Sequence, residues 1–407
     1  MMQVNKISKE NLELQKNKTI IEQDFSINYR YNILFTREVF HLSNTLLFDL
    51  FQPSAIGRKI KLGFVIDQGL LDHWPNLPQA IESYIHAFPS LQLVAQPLVI
   101  TGGEPAKNSL ETLDEVLNYI HEKNIDRHAY LIAMGGGAIL DMVGFAAAIG
   151  HRGIRHIRMP TTVLSQNDSG VGVKNGINYF GKKNFLGTFS PPIAVINDFN
   201  FLGTLDDRDW RSGMSEAVKV ALIKDATFFY WLEDHALALS RRDNETMEKL
   251  IFDCAALHVD HISLQGDPFE MGSSRPLDFG HWAAHKLEQL TEFEVKHGEA
   301  VAIGIALDLA YAVAMNICDQ EIFERVYQVL TTLGFKLFHP LLLNPEKKQI
   351  NPEILEGLEE FRAHLGGRLT ITLINEIGTK FDVHEMDVNG LNSAVLLLDQ
   401  KYSLHEN

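Results

Sequence analysis

Short apolar runs rich in β-branched and aromatic residues recur along the first half of the chain, with helical stretches between them. YNILF, KLGFVID, LQLVAQPLVI, AYLIAMGGG, IRHIRMPTT and PIAVIND read as strands. Between them, SLETLDEVLNYIHEKN places apolar residues at a 3.6-residue period, with charges on the other face. Strand and helix in alternation predict a mostly parallel sheet with helices on both faces. The pattern changes after about residue 205. RDWRSGMSEAVKVALIKDATFFYWLEDHALAL, ETMEKLIFDCAALHVDHISL, GHWAAHKLEQL and GEAVAIGIALDLAYAVAMNI are all helical by period. The chain therefore divides into a polar lead-in over 1–24, an α/β region over 25–205 and a mainly α-helical region over 206–407. HPLLLNPEKKQINPE reads as an exposed connection.

Composition narrows the function. The 407 residues are 45% hydrophobic and 22% charged, a globular balance long enough for two domains. The formal net charge of −16 disfavours nucleic acid and anionic lipid as partners. A small anionic substrate stays possible, because local lysines act within about one Debye length, ~8 Å. Only Cys254 and Cys318 occur, which suits a reducing compartment and free thiols. The polar N-terminus has no apolar signal core, and no apolar run approaches about 18 residues. A cytoplasmic protein with no membrane span is expected.

Four sets of residues carry chemistry. In AYLIAMGGGAILDMVGFAAA an apolar strand ends in Gly135, Gly136 and Gly137, and a helix starts at once with Asp141 in its first turn. Glycines there let backbone N–H groups approach a pyrophosphate at the helix N-terminus. The spacing is not GxGxxG, so the ordinary dinucleotide fingerprint is absent. PLVITGGEPAKN is a second glycine-rich turn, followed by Glu104 and Lys107; Asp67 ends the FVID strand, where a ribose hydroxyl is often held. MPTTVLSQNDSGVGVKNGINYFGKKNFLGTFSPP interleaves glycines and hydroxyls with Lys174, Lys182, Lys183 and Asn184, in the manner of an anion-binding loop. Finally, His281 and His285 stand at i and i+4, His297 opens the next helix, and Glu216 lies on an earlier one with Lys219 a turn on. One carboxylate and two imidazoles, with a position open for substrate, is a recurrent catalytic zinc arrangement. Spacing alone does not say which two of the three histidines bind.

Together GGGAILDMVGFAAA, HRG, MPTTVLSQNDSGVGVKNGIN, GKKN, SEAVK, FGHWAAH and HGEAVAIG, in that order, resemble the dehydroquinate synthase-like sugar phosphate cyclases over roughly residues 60–385. The resemblance implies a Rossmann-like NAD-binding domain and a helical metal and substrate domain. It implies metal ligands at Glu216, His281 and His297, with zinc the usual metal and cobalt suited to the same set. It puts His285 toward the substrate. Cofactor positions fall on Asp67, Glu104, Lys107, Gly136, Gly137, Asp141, Thr161, Thr162, Asp168, Lys183 and Thr204. Substrate positions fall on Lys174, Asn184 and Lys219. Arg152, in HRG, matches an arginine that reaches the neighbouring site of a homodimer. Members of this family use NAD+ to oxidise a ketose phosphate alcohol, eliminate phosphate, reduce the ketone again and close a carbocycle by an intramolecular aldol step.

The departures bear on the substrate. Where dehydroquinate synthases read RxxLNxGH this chain reads SSRPLDFGH, so Asp278 takes the asparagine position and Ser274 the arginine position, with Arg275 one residue off. A family lysine falls in CAALHVDHI, where the polar residues are His258, Asp260 and His261. An anion in place of asparagine, with cations removed, disfavours a carboxylated substrate. EEFRAHLGGRLTITLINEIG replaces a DKK-like stretch and makes Arg362 and His364 candidate phosphate contacts. The expectation is a lyase that converts sedoheptulose 7-phosphate to a valiolone-type cyclitol, in the manner of 2-epi-valiolone synthases and the Ebo-cluster cyclase. The alternatives are a 3-dehydroquinate synthase, a metal-dependent alcohol dehydrogenase of glycerol dehydrogenase type, and a catalytically silent binding module.

Overall fold

A computed structural model of the chain describes residues 23–51, 59–264, 269, 276–364 and 366–405. A compact unit runs from Tyr31 to the C-terminus. Its first part is built on β1 (Asn32–Thr36), β2 (Ile60–Asp67), β3 (Leu91–Leu93), β4 (Leu98–Ile100), β5 (Tyr130–Gly135), β6 (Arg155–Pro160), β7 (Lys174–Tyr179), β8 (Lys182–Phe189) and β9 (Ala194–Asp198). Seven of these form one parallel sheet in the order β1–β9–β6–β5–β2, with β3 and β4 both paired to the outer edge of β2. LQLVAQPLVI is thus one edge strand broken in two, around the segment between Leu93 and Leu98.

Alternation along the strands accounts for the two covered faces. Leu62, Phe64 and Ile66 of β2, with Ile132 and Met134 of β5, pack with Ile81 and Ile85 of the helix Leu77–Ala87. Their neighbours Val65, Leu131 and Ala133 face the other way, onto the helices Leu110–Glu122 and Gly137–Ile149. Successive side chains of a strand point to opposite faces, so one sheet builds two cores. Each large side chain fully buried there contributes about 1.5–3 kcal/mol.

The chain leaves β2 toward β3 and β4 on one side, then returns to β5 on the other. That reversal puts a crevice at the carboxyl ends of β2 and β5, where open α/β sheets take ligands. The lysine-bearing segment expected as an anion-binding loop is instead an antiparallel hairpin. β7 pairs with β8, and a wide helical turn, Ser165–Ser169, precedes it. A buried arginine explains the order: the guanidinium of Arg158, on β6, donates to the carbonyl oxygens of Gly170, Gly172 and Lys174 and to Asn175 Oδ1.

Beyond Asp207 the helices Asp207–Lys224, Ala226–Ser240, Asn244–Leu264, His281–Leu290, His297–Ala314, Gln320–Thr332, Pro352–His364 and Val388–His405 enclose a second core. Two small antiparallel pairs accompany them, Leu343–Asn344 with Gln349–Ile350, and Ile371–Glu376 with Thr379–Val383. The former lies in the segment expected as a plain connection. Among the described residues, the helix His297–Ala314 is long and apolar enough by composition to cross a membrane, with a mean hydropathy of 1.3. It is 78% buried inside the fold, as the central helix of this core.

Candidate active site and metal centre

Close backbone contact aims the metal-site residues. Gly280 precedes His281 at φ 78, in the left-handed region that glycine enters without penalty. A Cβ at Gly304 would overlap the carbonyl oxygen of Gly280, and one at Gly298 would overlap that of Ser212. The helix His297–Ala314 therefore touches both the turn before His281 and the helix that carries Glu216. The turn is held further by Asp308, which accepts from Gly280 N at 3.0 Å and from Trp282 Nε1 at 2.8 Å. Burial pushes the Asp308 carboxyl up to about 7, against the pull of those two hydrogen bonds.

Glu216, His281 and His297 consequently meet. Glu216 Oε1 lies 3.6 Å from His281 Nε2 and 3.4 Å from His297 Nε2. Both carboxylate oxygens of Glu216 are buried, and the Lys219 ammonium is in contact with Oε2. Burial opposes the charge, but Lys219 and His297 bring the Glu216 carboxyl down to about 2. Burial and the nearby Lys219 hold His281 well below the usual imidazole range, so it offers a neutral nitrogen. Its Nδ1 faces the Phe279 carbonyl at 3.1 Å, leaving Nε2 for Glu216's side of the cluster. Burial also lowers His297, yet Glu288 and Glu216 overcome it and raise the ring to about 9.

Among the described residues, two triads offer ligand atoms within 4.8 Å of one another: Glu216, His281 and His297, and His285, Glu288 and His297. Hydrogen bonding separates them. His297 Nδ1 faces Glu288 Oε2 at 3.2 Å, and Glu288 Oε1 accepts from Lys183 Nζ at 2.8 Å. Glu288 is thus paired with His297 on the Nδ1 side, and Nε2 of His297 faces Glu216. A buried, ionised carboxylate with two imidazole nitrogens within 3.6 Å of one of its oxygens fits a divalent ion of zinc or cobalt type. His285 stays beside this set, its ring centroid 5.2 Å from that of His281.

The other expected residues gather at the carboxyl ends of the strands. Asp67 ends β2, and its Oδ1 accepts from Gly69 N, capping the next short helix. Gly136 is the N-cap of the helix Gly137–Ile149, and only Thr162 stands near its α-carbon. A glycine at this N-cap lets an anion approach the helix N-terminus. Asp141 sits one turn inside that helix and accepts from Lys107 Nζ at 2.9 Å. Lys107 also donates to Asn184 Oδ1, while Asn178 donates to Glu104 Oε1 at 2.8 Å and accepts from Asn184 N at 2.8 Å. Burial would discharge Lys107, but Asp141 and Glu104 raise it and keep it cationic. Thr161 N bonds to Gly135 O, Thr162 braces the turn through Ser165, and Thr204 Oγ1 donates to Phe201 O after β9. Asp168 Oδ1 lies 2.7 Å from His258 Nδ1, and its charge is felt at Glu216 and Lys219. It belongs as much to the metal cluster as to the nucleotide crevice.

Two expected residues stand apart. Arg152 is exposed in a turn where His151, Arg152 and Gly153 all take positive φ. Arg362 pairs with Glu359 one turn back on its own helix, at 3.1 Å, outside this cluster. The His364 side chain, Ser274 and Arg275 lie outside the described residues. Lys174 is exposed where the hairpin begins, and Asp278 ends the turn Pro276–Asp278 with its charge felt at Lys219. Sequence reasoning missed Glu288, although it shares a helix face with His281 and His285, seven and three residues on. It also missed Arg158 and Asp308; a charged residue inside an otherwise apolar strand or helix is the signal that marks both.

Comparison with known proteins agrees with this geometry. Residues 97–212 match the N-terminal model of 3-dehydroquinate synthase and residues 213–351 its C-terminal model. A 3-dehydroquinate synthase of Rhodopirellula baltica is 39% identical over 299 residues, covering 73% of this chain and 77% of the relative. One from Halorhodospira halophila is 34% identical over 284 residues, covering 70% of this chain and 77% of the relative. Among solved structures, ValA, the 2-epi-5-epi-valiolone synthase of Streptomyces hygroscopicus subsp. jinggangensis with NAD+ and Zn2+ bound, superposes with a TM-score of 0.82. It is 27% identical, and the match covers 94% of this chain and 100% of that one. With both family models matched in order and the polar clusters assembled at the strand ends and among the helices, this chain belongs to the dehydroquinate synthase-like sugar phosphate cyclases.

Proposed function

We propose that this chain is a cytoplasmic, NAD- and zinc-dependent lyase that closes a carbocycle from sedoheptulose 7-phosphate, releases phosphate and yields a valiolone-type cyclitol, 2-epi-valiolone first among them. The observation that carries this reading is Asp278. Its carboxylate lies in the turn that enters His281, and its charge is felt at Lys219. A substrate carboxylate brought to the same cavity meets an anion where an amide would have paired with it. The full-length superposition on a valiolone synthase supports the same choice.

When bound, NAD+ supplies reversible oxidation of a substrate alcohol, and zinc supplies Lewis-acid polarisation of the substrate oxygens. Glu216, His281 and His297 would hold the metal. Asp67, Glu104, Lys107, Gly136, Gly137, Asp141, Thr161, Thr162, Asp168, Lys183 and Thr204 would line the cofactor's crevice. Lys219 is buried, and Glu216 and Asp168 keep it cationic, so it can neutralise an oxyanion without losing its proton. Lys174 and Asn184 of the hairpin, with His285, would orient the sugar phosphate, and Arg362, on the helix packed against the one that carries His285, would have to leave Glu359 to reach the phosphate. Arg152 reaches the neighbouring site of a homodimer.

The test is phosphate release with NAD+ and zinc, offering sedoheptulose 7-phosphate and the carboxylated heptulosonate phosphate in parallel, with NMR of the products. Release from the former is expected, and Asp278→Asn shifts preference toward the latter. Release from the carboxylated substrate alone would sink the proposal in favour of 3-dehydroquinate synthase, the second reading, which the identity to enzymes of that name favours.

A further inference from the structure

The Lys183–Glu288–His297 chain joins the hairpin to the metal triad. Lys183 Nζ donates to Glu288 Oε1 at 2.8 Å, and His297 Nδ1 stands 3.2 Å from Glu288 Oε2. The Glu288 side chain is only 3% exposed, so solvent does little to damp either contact. The next hairpin residue, Asn184, faces the opposite way and accepts from Lys107, itself paired with Asp141 of the nucleotide crevice. β8 is thus pinned to both halves, and its lysine bears on the carboxylate behind a metal ligand.

From this geometry we infer that Glu288 is a positioning residue that sets the donor strength of His297 toward the metal, and that Lys183 moderates it by sharing the carboxylate. A carboxylate accepting the Nδ1 proton of an imidazole fixes its tautomer and makes Nε2 a stronger donor. An ammonium on the carboxylate's other oxygen withdraws part of that effect. The two residues therefore act on metal affinity with opposite signs. A packing role would give both the same sign. The inference rests on the assignment of Glu216, His281 and His297 as ligands.

The experiment titrates the metal-free protein with Co2+, read by its visible absorption, and measures Zn2+ affinity by chelator competition. Wild type, Glu288→Gln, Lys183→Gln and Glu216→Gln are compared. Glu288→Gln is expected to weaken binding about 10- to 100-fold and to shift the Co2+ spectrum. Lys183→Gln, at a partly exposed side chain, is expected to tighten binding several-fold. Wild-type affinity in Glu288→Gln, or weakened binding in Lys183→Gln, overturns the inference. Undiminished binding in Glu216→Gln overturns the ligand assignment beneath it, so the two failures are told apart.

Discussion

The nucleotide crevice and the metal centre reach their geometry by different routes. In the crevice the helix-opening turn is built from consecutive residues. Gly135, Gly136 and Gly137 end a strand and start a helix, and Lys107 meets Asp141 through neighbouring connections of one sheet. In the candidate metal centre Glu216, His281 and His297 come from three helices, and backbone contacts at Gly280, Gly298 and Gly304 set their spacing. A local motif tolerates small shifts, because its parts move together. A centre assembled from separate helices has no such slack.

This contrast is sharpest where the metal is concerned. Glu216→Gln is expected to lose the ion and roughly a thousandfold in turnover, since Lewis-acid stabilisation is worth several kcal/mol. Metal analysis of the purified variant checks it, and stoichiometric zinc would remove Glu216 from the set. Next comes pH. The Asp308 carboxyl titrates near 7 in the folded chain, against an ordinary value of 3.8. A raised folded value means that stability from this group is full below about pH 4 and is lost as the pH rises toward 7. The loss approaches about 4 kcal/mol at most. Urea denaturation between pH 4 and 8 is expected to show that slope in the wild type and to lack it in Asp308→Asn.

Glycine substitutions test the comparison directly. Gly298→Ala drives a Cβ into the Ser212 backbone, which cannot rotate away, and is expected to cost about 3 kcal/mol with weakened metal binding. Gly137→Ala meets the Ser169 hydroxyl, 2.6 Å from the added Cβ, where the side chain can turn aside. Its cost is expected to stay near 1 kcal/mol, with a raised KM for NAD+. Equal costs at the two positions would break the contrast. Thermal melts and NAD+ titrations measure both.

How far the sequence could be read follows the same line. Period-two and period-3.6 patterns located the sheet strands and the main helices, because burial on one face constrains residue type locally. The edge strand split at Leu93 and Leu98, the hairpin β7–β8 and the pair Leu343–Asn344 with Gln349–Ile350 were not visible, because their pairing depends on partners elsewhere. The hairpin owes its order to Arg158, fourteen or more residues from most of the groups it holds. The apolar helix His297–Ala314 has a composition compatible with a membrane; only its packing makes it a core.

The sequence by itself determined the alternation of elements, the glycine turn that opens a helix N-terminus, and the residue types needed for phosphate, nicotinamide and metal chemistry. The tertiary structure alone decided that Glu288 stands behind His297 and that Lys183 reaches across to it, and it brought together the Glu216, His281 and His297 that the resemblance implied. The physical reason is range. Periodicity and turn chemistry act over a few residues, whereas a ligand set needs ångström placement of groups up to 81 residues apart in the chain (Glu216 to His297), which only packed helices provide.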